Sequence, residues 1–101
     1  MKDCIEKTEV EKALAQQENI KILDVRSTDE YAQLHIQEAI HLELKDIHLQ
    51  LHKLNKNYRY ITVCGKGGGR SADAARILQN AGFNAAWLCG GTYEWIGKTD
   101  I

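Results

Sequence analysis

Residues 58–82 read "YRYITVCGKGGGRSADAARILQNAG". The opening "YRYITVC" is aromatic and β-branched, which predicts a strand ending at Cys64. The closing "RSADAARILQNAG" holds strong helix formers, sets Ala74, Ile77 and Leu78 at helical spacing, and places Gly82 where a C-terminal cap belongs. Between them lie Gly65, Lys66, Gly67, Gly68 and Gly69, too many glycines for a simple strand-to-helix turn.

The same alternation extends in both directions. "IKILDVR" (21–26 with Ile20) predicts a buried strand, "AIHLEL" a short one and "NAAWLC" the last, while "CIEK" is a candidate edge strand. Thr8 with Glu11 forms a possible capping box for a helix over 9–17, and Ser27 with Glu30 forms one for a helix through "TDEYAQLH". Ile47, Leu51 and Leu54 predict a helix over 45–54, and "GGTYEWIGK" a last helical turn or two. Alternating strands and helices predict an α/β fold, a mainly parallel sheet covered by helices on both faces. In such sheets ligands bind beyond the carboxyl ends of the strands, where Cys64 falls.

A chain of 101 residues is the size of one domain, so residues 1–101 are expected to form one unit without a linker. The net charge of -1 gives no footprint for nucleic acid or for a basic membrane patch, and neither partner is expected. No run approaches a membrane span and the charged start lacks a signal peptide's apolar stretch, so a soluble, cytoplasmic protein is expected. Cys4, Cys64 and Cys89 are odd in number and lack paired metal-ligand spacing, which argues against a disulfide framework and a zinc site and makes reduced thiols the default. Cys4 reads as incidental. Cys89 reads as a buried, inert cysteine, with a resolving thiol as the sharper alternative. His48 and His52 lie four apart but lack a third ligand, so no metal is expected.

All eight glycines lie between Gly65 and Gly97, concentrating unusual backbone geometry in the C-terminal third. A glycine loop running into a helix presents unpaired backbone N–H groups and the positive end of the helix dipole, which together cradle an anion. Placed around Cys64, such a cradle favours the thiolate and, if the thiolate takes a sulfur atom from a donor, the negative outer sulfur of a persulfide. Arg70 can orient an oxyanion donor such as a thiosulfonate, Lys66 can add charge at the mouth, and Ser71 can hydrogen-bond to the loop or the sulfur. The plain alternative is a buried strand cysteine followed by a tight turn. A nucleotide P-loop is disfavoured, because arginine stands where that motif has lysine followed by serine or threonine.

The chain resembles the rhodanese family of single-domain sulfurtransferases in four stretches: "DVRSTDEY" (24–31), "HIQEAIHL" (35–42), "CGKGGGRS" (64–71) and "LCGGTYEW" (88–95). The resemblance implies a five-stranded parallel sheet flanked by helices, Cys64 as the sulfur-carrying nucleophile, the amides from Gly65 to Arg70 as the persulfide cradle, and no cofactor. The shallow site expected of a domain this small suits thiosulfate, a small persulfide or a protein thiol, and the expected partners are a small sulfur donor such as thiosulfate and a thiophilic acceptor: a thiol, a cyanide-like compound or a protein thiol. The resemblance also places Asp24 and Arg26 near the active side of the sheet as structural polar residues, and makes His35 and His41 local hydrogen-bonding groups.

Two departures bear on the chemistry. Leu34, Glu38 and Glu43 stand where many members carry glycine, glycine and proline, which leaves room for a different local path around "AIHL". Five residues separate Cys64 from Arg70, against four in the commonest sulfurtransferase loop. The longer spacing resembles rhodanese-fold phosphatases and arsenate reductases, for which Glu94 or Asp73 would have to supply a general acid. Sulfur transfer, oxyanion chemistry on phosphate or arsenate, and a non-catalytic binding module therefore stand as the three readings, in that order.

Overall fold

Side chains alternate between two apolar clusters along residues 59–64, because successive residues of a strand point to opposite faces. Ile61 and Val63 join Val10, Ala13, Ile22 and Leu88 in one cluster, whereas Tyr60 and Cys64 join Leu23, Ile47, Ala74 and Leu78 in the other. Both clusters need a cover, and helices supply it on each side. Burying a side chain such as Ile61 or Leu78 completely contributes about 1.5–3 kcal/mol.

The computed structural model describes residues 4–97. The strands are β1 (Cys4–Ile5), β2 (Ile20–Asp24), β3 (Ile40–His41), β4 (Arg59–Val63) and β5 (Asn84–Leu88). All pair in parallel, in the order β1-β5-β4-β2-β3. The helices are α1 (Lys7–Ala15), α2 (Thr28–Gln33), α3 (Ile47–Gln50), α4 (Arg70–Asn80) and α5 (Gly91–Ile96). Residues of α1 and α5 pack into the first cluster, and those of α3 and α4 into the second. The expected α/β sheet covered on both faces is thus present. Among the described residues, no helix is long and apolar enough to cross a membrane.

Local signals were correct where the chain itself satisfies its ends. Ser27 and Glu30 form a full capping box, with Glu30 N–H donating to Ser27 Oγ and Ser27 N–H donating to Glu30 Oε1. Thr8 and Glu11 do not: α1 begins at Lys7 with Glu6 as its N-cap, because β1 docks on β5 through Ile5 and the helix starts directly afterwards. The expected helix over 45–54 is a short α-helix between 3₁₀ turns at Leu44–Asp46 and Leu51–Lys53. The spacing explains it. Leu44 to Ile47 and Leu51 to Leu54 are steps of three, which a 3₁₀ turn places on one side, and Ile47 to Leu51 is a step of four, which suits an α-turn.

Two polar features hold the carboxyl end of the sheet. Asp24 and Arg26 are both fully buried, with Arg26 Nη2 2.8 Å from Asp24 Oδ2 and Arg26 Nε 3.0 Å from Asp24 Oδ1. Arg26 Nη2 also donates to Leu34 O at 2.7 Å, so the pair fastens β2 to the segment before β3. His41 Nε2 lies 2.8 Å from Arg26 O and His35 Nδ1 2.8 Å from Tyr31 O, the local roles implied for them. Glu38 has φ of 73°, a left-handed turn held with a side chain that tolerates it less well than glycine does.

Candidate active site around Cys64

The alternation along β4 turns Cys64 toward the first turn of α4. Its Sγ lies 2.9 Å from Gly68 O and 3.2 Å from Ser71 Oγ, so the thiol donates within its own loop. Ser71, fully buried, donates from Oγ to Gly68 O at 3.0 Å and accepts from Gly68 N–H at 3.2 Å. Thr62 Oγ1 donates to Ser71 O at 2.7 Å and fixes the start of α4 against β4.

This corrects one expectation. The loop amides do not converge on the sulfur itself; the nearest backbone atom bonded to Sγ is a carbonyl oxygen. Positive φ at Gly67, Gly68 and Gly69 (85°, 85° and 46°) turns the Gly68 carbonyl inward. Among the described residues, the N–H groups of Gly65, Lys66, Gly67 and Gly69 donate no hydrogen bond within the protein. Cys64, the loop from Gly65 to Gly69, Arg70 and Tyr93 line an open cavity of about 380 Å³. All eight residues proposed from sequence, Cys64 to Ser71, are thus brought together, with Ser71 behind the sulfur rather than in the cavity wall.

Arg70 has a partner that its sequence neighbourhood does not reveal. Nη1 lies 2.7 Å from Glu30 Oε1 and Nη2 3.1 Å from Glu30 Oε2, a two-pronged ion pair between α4 and α2. The hydrogen bond from Arg70 holds the Glu30 carboxyl at about 2, with burial opposing and the Ser27 bonds assisting. Arg70 is raised in turn, first by its hydrogen bond to Glu30, against burial, and further by the charges of Glu30, Cys64 and Tyr93.

The loop rests on the start of α5. Thr92 N–H donates to Cys64 O and Tyr93 N–H to Gly65 O, each at 2.9 Å. A Cβ on Gly91 would overlap the Cys64 carbonyl and stand 2.5 Å from Gly65 O and from Gly67 N. The Tyr93 ring covers the bare face of Gly65, where a Cβ would come within 2.8 Å. "LCGGTYEW" therefore acts as the floor of the site, and the spacing of its glycines was the visible signal. Glu94 and Asp73 lie outside the cavity wall: the Glu94 side chain folds over Gly90, and exposed Asp73 pairs with Arg76 at 3.0 Å. Among the described residues, His48 and His52 join no cluster of three potential metal ligands.

The cysteines pair differently from expectation. Cys4 and Cys89 form a disulfide with Cα atoms 5.1 Å apart, and the odd count leaves Cys64 as the free thiol. The reduced default fails because β1 pairs with β5, and Cys89 N–H donates to Ile5 O at 2.9 Å, bringing together residues 85 positions apart. Neither residue is incidental or inert.

Comparison with known proteins agrees with this architecture. Two Bacillus subtilis proteins resemble the chain: "Putative sulfur carrier protein YrkF", 34% identical over 82% of this chain, and "Putative sulfurtransferase YtwF", 32% identical over 81%. The chain spans 45% of the first and 79% of the second. A rhodanese-like domain protein from Staphylococcus aureus superposes with a TM-score of 0.85 at 31% identity, covering 98% of this chain and 95% of that one. A rhodanese-related protein from Thermoplasma volcanium shares the fold with a TM-score of 0.83 at 24% identity, over 97% and 96% of the two chains. Residues 6–98 match the family described as "Rhodanese-like domain", and the chain belongs to that family.

Proposed function

We propose that the protein is a sulfurtransferase or persulfide carrier in which Cys64 accepts sulfane sulfur and passes it to a thiophilic acceptor. The observation that carries this reading is an unpaired cysteine at the carboxyl end of a parallel sheet, lining an open cavity beside a glycine loop in which the N–H groups of Gly65, Lys66, Gly67 and Gly69 donate no hydrogen bond within the protein. Family membership and the names of the B. subtilis relatives support the same class of chemistry.

In the loading step the Cys64 thiolate attacks the outer sulfur of the donor. With thiosulfate, a bond forms between Sγ and that sulfur, the S–S bond of the donor breaks, and sulfite leaves with the electron pair. The persulfide keeps one negative charge on its outer sulfur, which unpartnered amides of the loop would stabilise. An acceptor nucleophile then attacks the outer sulfur; with cyanide the products are thiocyanate and the original thiolate. Lys66 supplies positive charge at the mouth, and Ser71 Oγ can turn its proton from Gly68 O to the sulfur once the thiol proton has gone.

The C-x5-R spacing keeps phosphate or arsenate chemistry as the second reading. Against it, neither Glu94 nor Asp73 lines the cavity to protonate a leaving oxygen. Incubation with millimolar thiosulfate or an organic persulfide should give a one-sulfur mass adduct that cyanide removes, and Cys64→Ser should abolish it. Hydrolysis of a phosphate ester or reduction of arsenate without any sulfur adduct would reverse the order of the two readings.

A further inference from the structure

We infer that Glu30 is a donor-selecting residue: by occupying the Arg70 fork it turns the site away from dianionic donors such as thiosulfate and toward organic persulfides. The inference rests on the sulfur-transfer reading of Cys64 and names the donor class for that same site.

The charge inventory around the cavity carries it. Cys64 must be a thiolate to react, and the cations in the cavity lining are Lys66 and Arg70. Both outer nitrogens of Arg70 face the two oxygens of Glu30, at 2.7 and 3.1 Å, so the edge that would clamp an oxyanion in two places is already used. Glu30 cannot easily turn away. Its side chain is 12% exposed, and Oε1 also accepts from Ser27 N–H at 3.2 Å and Ser27 Oγ at 3.0 Å. With Arg70 offset by Glu30, Lys66 alone balances the thiolate, and a donor bearing two negative charges finds no net attraction.

A persulfide R–S–SH whose R group is uncharged meets no such barrier when it reacts through its protonated, neutral form. The Cys64 thiolate attacks its outer sulfur, the Sγ–S bond forms and the bond to R–S breaks. R–S⁻ leaves and takes up the proton, giving R–SH and the Cys64 persulfide anion. Sulfane sulfur changes carriers without net oxidation or reduction.

The test compares single-turnover loading of Cys64, followed by intact mass, from thiosulfate and from 2-hydroxyethyl persulfide, whose organic group carries no charge, in wild type and Glu30→Gln. Gln preserves the capping box and removes the charge. Wild type should load faster from the persulfide, with little response to salt for thiosulfate. Glu30→Gln should load from thiosulfate about tenfold faster at low salt, should lose that gain as potassium chloride is added, and should keep its persulfide rate within about twofold. Equal changes with both donors, loss of both rates, or a thiosulfate gain indifferent to salt would overturn the inference, because Glu30 would then organise the loop rather than select the donor. Failure of wild type to load from either donor would remove the sulfur-transfer reading itself, and this inference with it.

Discussion

Thr92 N–H donates to the carbonyl oxygen of Cys64 across 2.9 Å, tying the reactive residue to the first turn of α5. That bond needs Gly91 at φ 60° with no side chain, since a Cβ would overlap the Cys64 carbonyl. Gly91→Ala should therefore destabilise the fold by about 2–4 kcal/mol and change the alkylation rate of Cys64 at least severalfold. Urea denaturation and iodoacetamide kinetics check the two effects, and unchanged values for both would mean that the loop does not rest on α5.

Ser71 Oγ touches both Cys64 Sγ, at 3.2 Å, and Gly68 N, at 3.2 Å. Ser71→Ala removes a donor that can follow the sulfur from thiol to persulfide, and leaves Gly68 N–H without its partner. Stability should fall by about 1–2 kcal/mol and single-turnover sulfur loading by about tenfold. A Thr variant, which keeps the hydroxyl, should recover part of the loading rate.

The Cys4–Cys89 bond closes nearly the whole chain into one loop, with a sequence separation of 85. Its removal in Cys4→Ser should cost about 2–5 kcal/mol and lower Tm by roughly 10–20 °C. Calorimetry with and without a mild reductant checks this, with the reductant shifting wild type and leaving Cys4→Ser unmoved. Sulfur loading should persist in Cys89→Ser and vanish in Cys64→Ser.

The Glu30–Arg70 pair predicts a particular acid response. Glu30 sits at about 2 in the folded protein against an ordinary value of 4.5, so the unfolded chain takes up its proton first as pH falls. The stabilisation is thus complete above about 4.5 and disappears as pH drops toward 2. Because the Arg70 side chain is 42% exposed, solvent screening reduces its worth to about 1–2 kcal/mol. Urea midpoints measured from pH 7 to 2 should show Glu30→Gln below wild type at neutral pH and the gap closing through that window.

How much of this was legible in sequence depends on how far apart the deciding residues lie. Apolar runs and the 3.6-residue stripe of Ala74 and Leu78 specify β4, the loop and α4 locally, because strand and helix periods are properties of consecutive residues. The same holds for the Ser27–Glu30 cap, and the glycine count marked Cys64 to Ser71 as the site. The thiol itself is a different matter: glycine-rich sequence announces that the peptides can turn, but the direction of the Gly68 carbonyl is set by the hydrogen bonds it accepts from Ser71 N–H, Ser71 Oγ and Cys64 Sγ.

The chain alone determined an alternating α/β order, a cysteine at a strand end and a permissive loop after it, all set by residues within a few positions of one another. Tertiary structure alone decided that Glu30 meets Arg70, that Cys4 meets Cys89 and that Gly91 lies under Cys64. These partners stand 40, 85 and 27 positions apart, and only the pairing of β1 with β5 and the docking of α2 and α5 beside the loop bring them into reach.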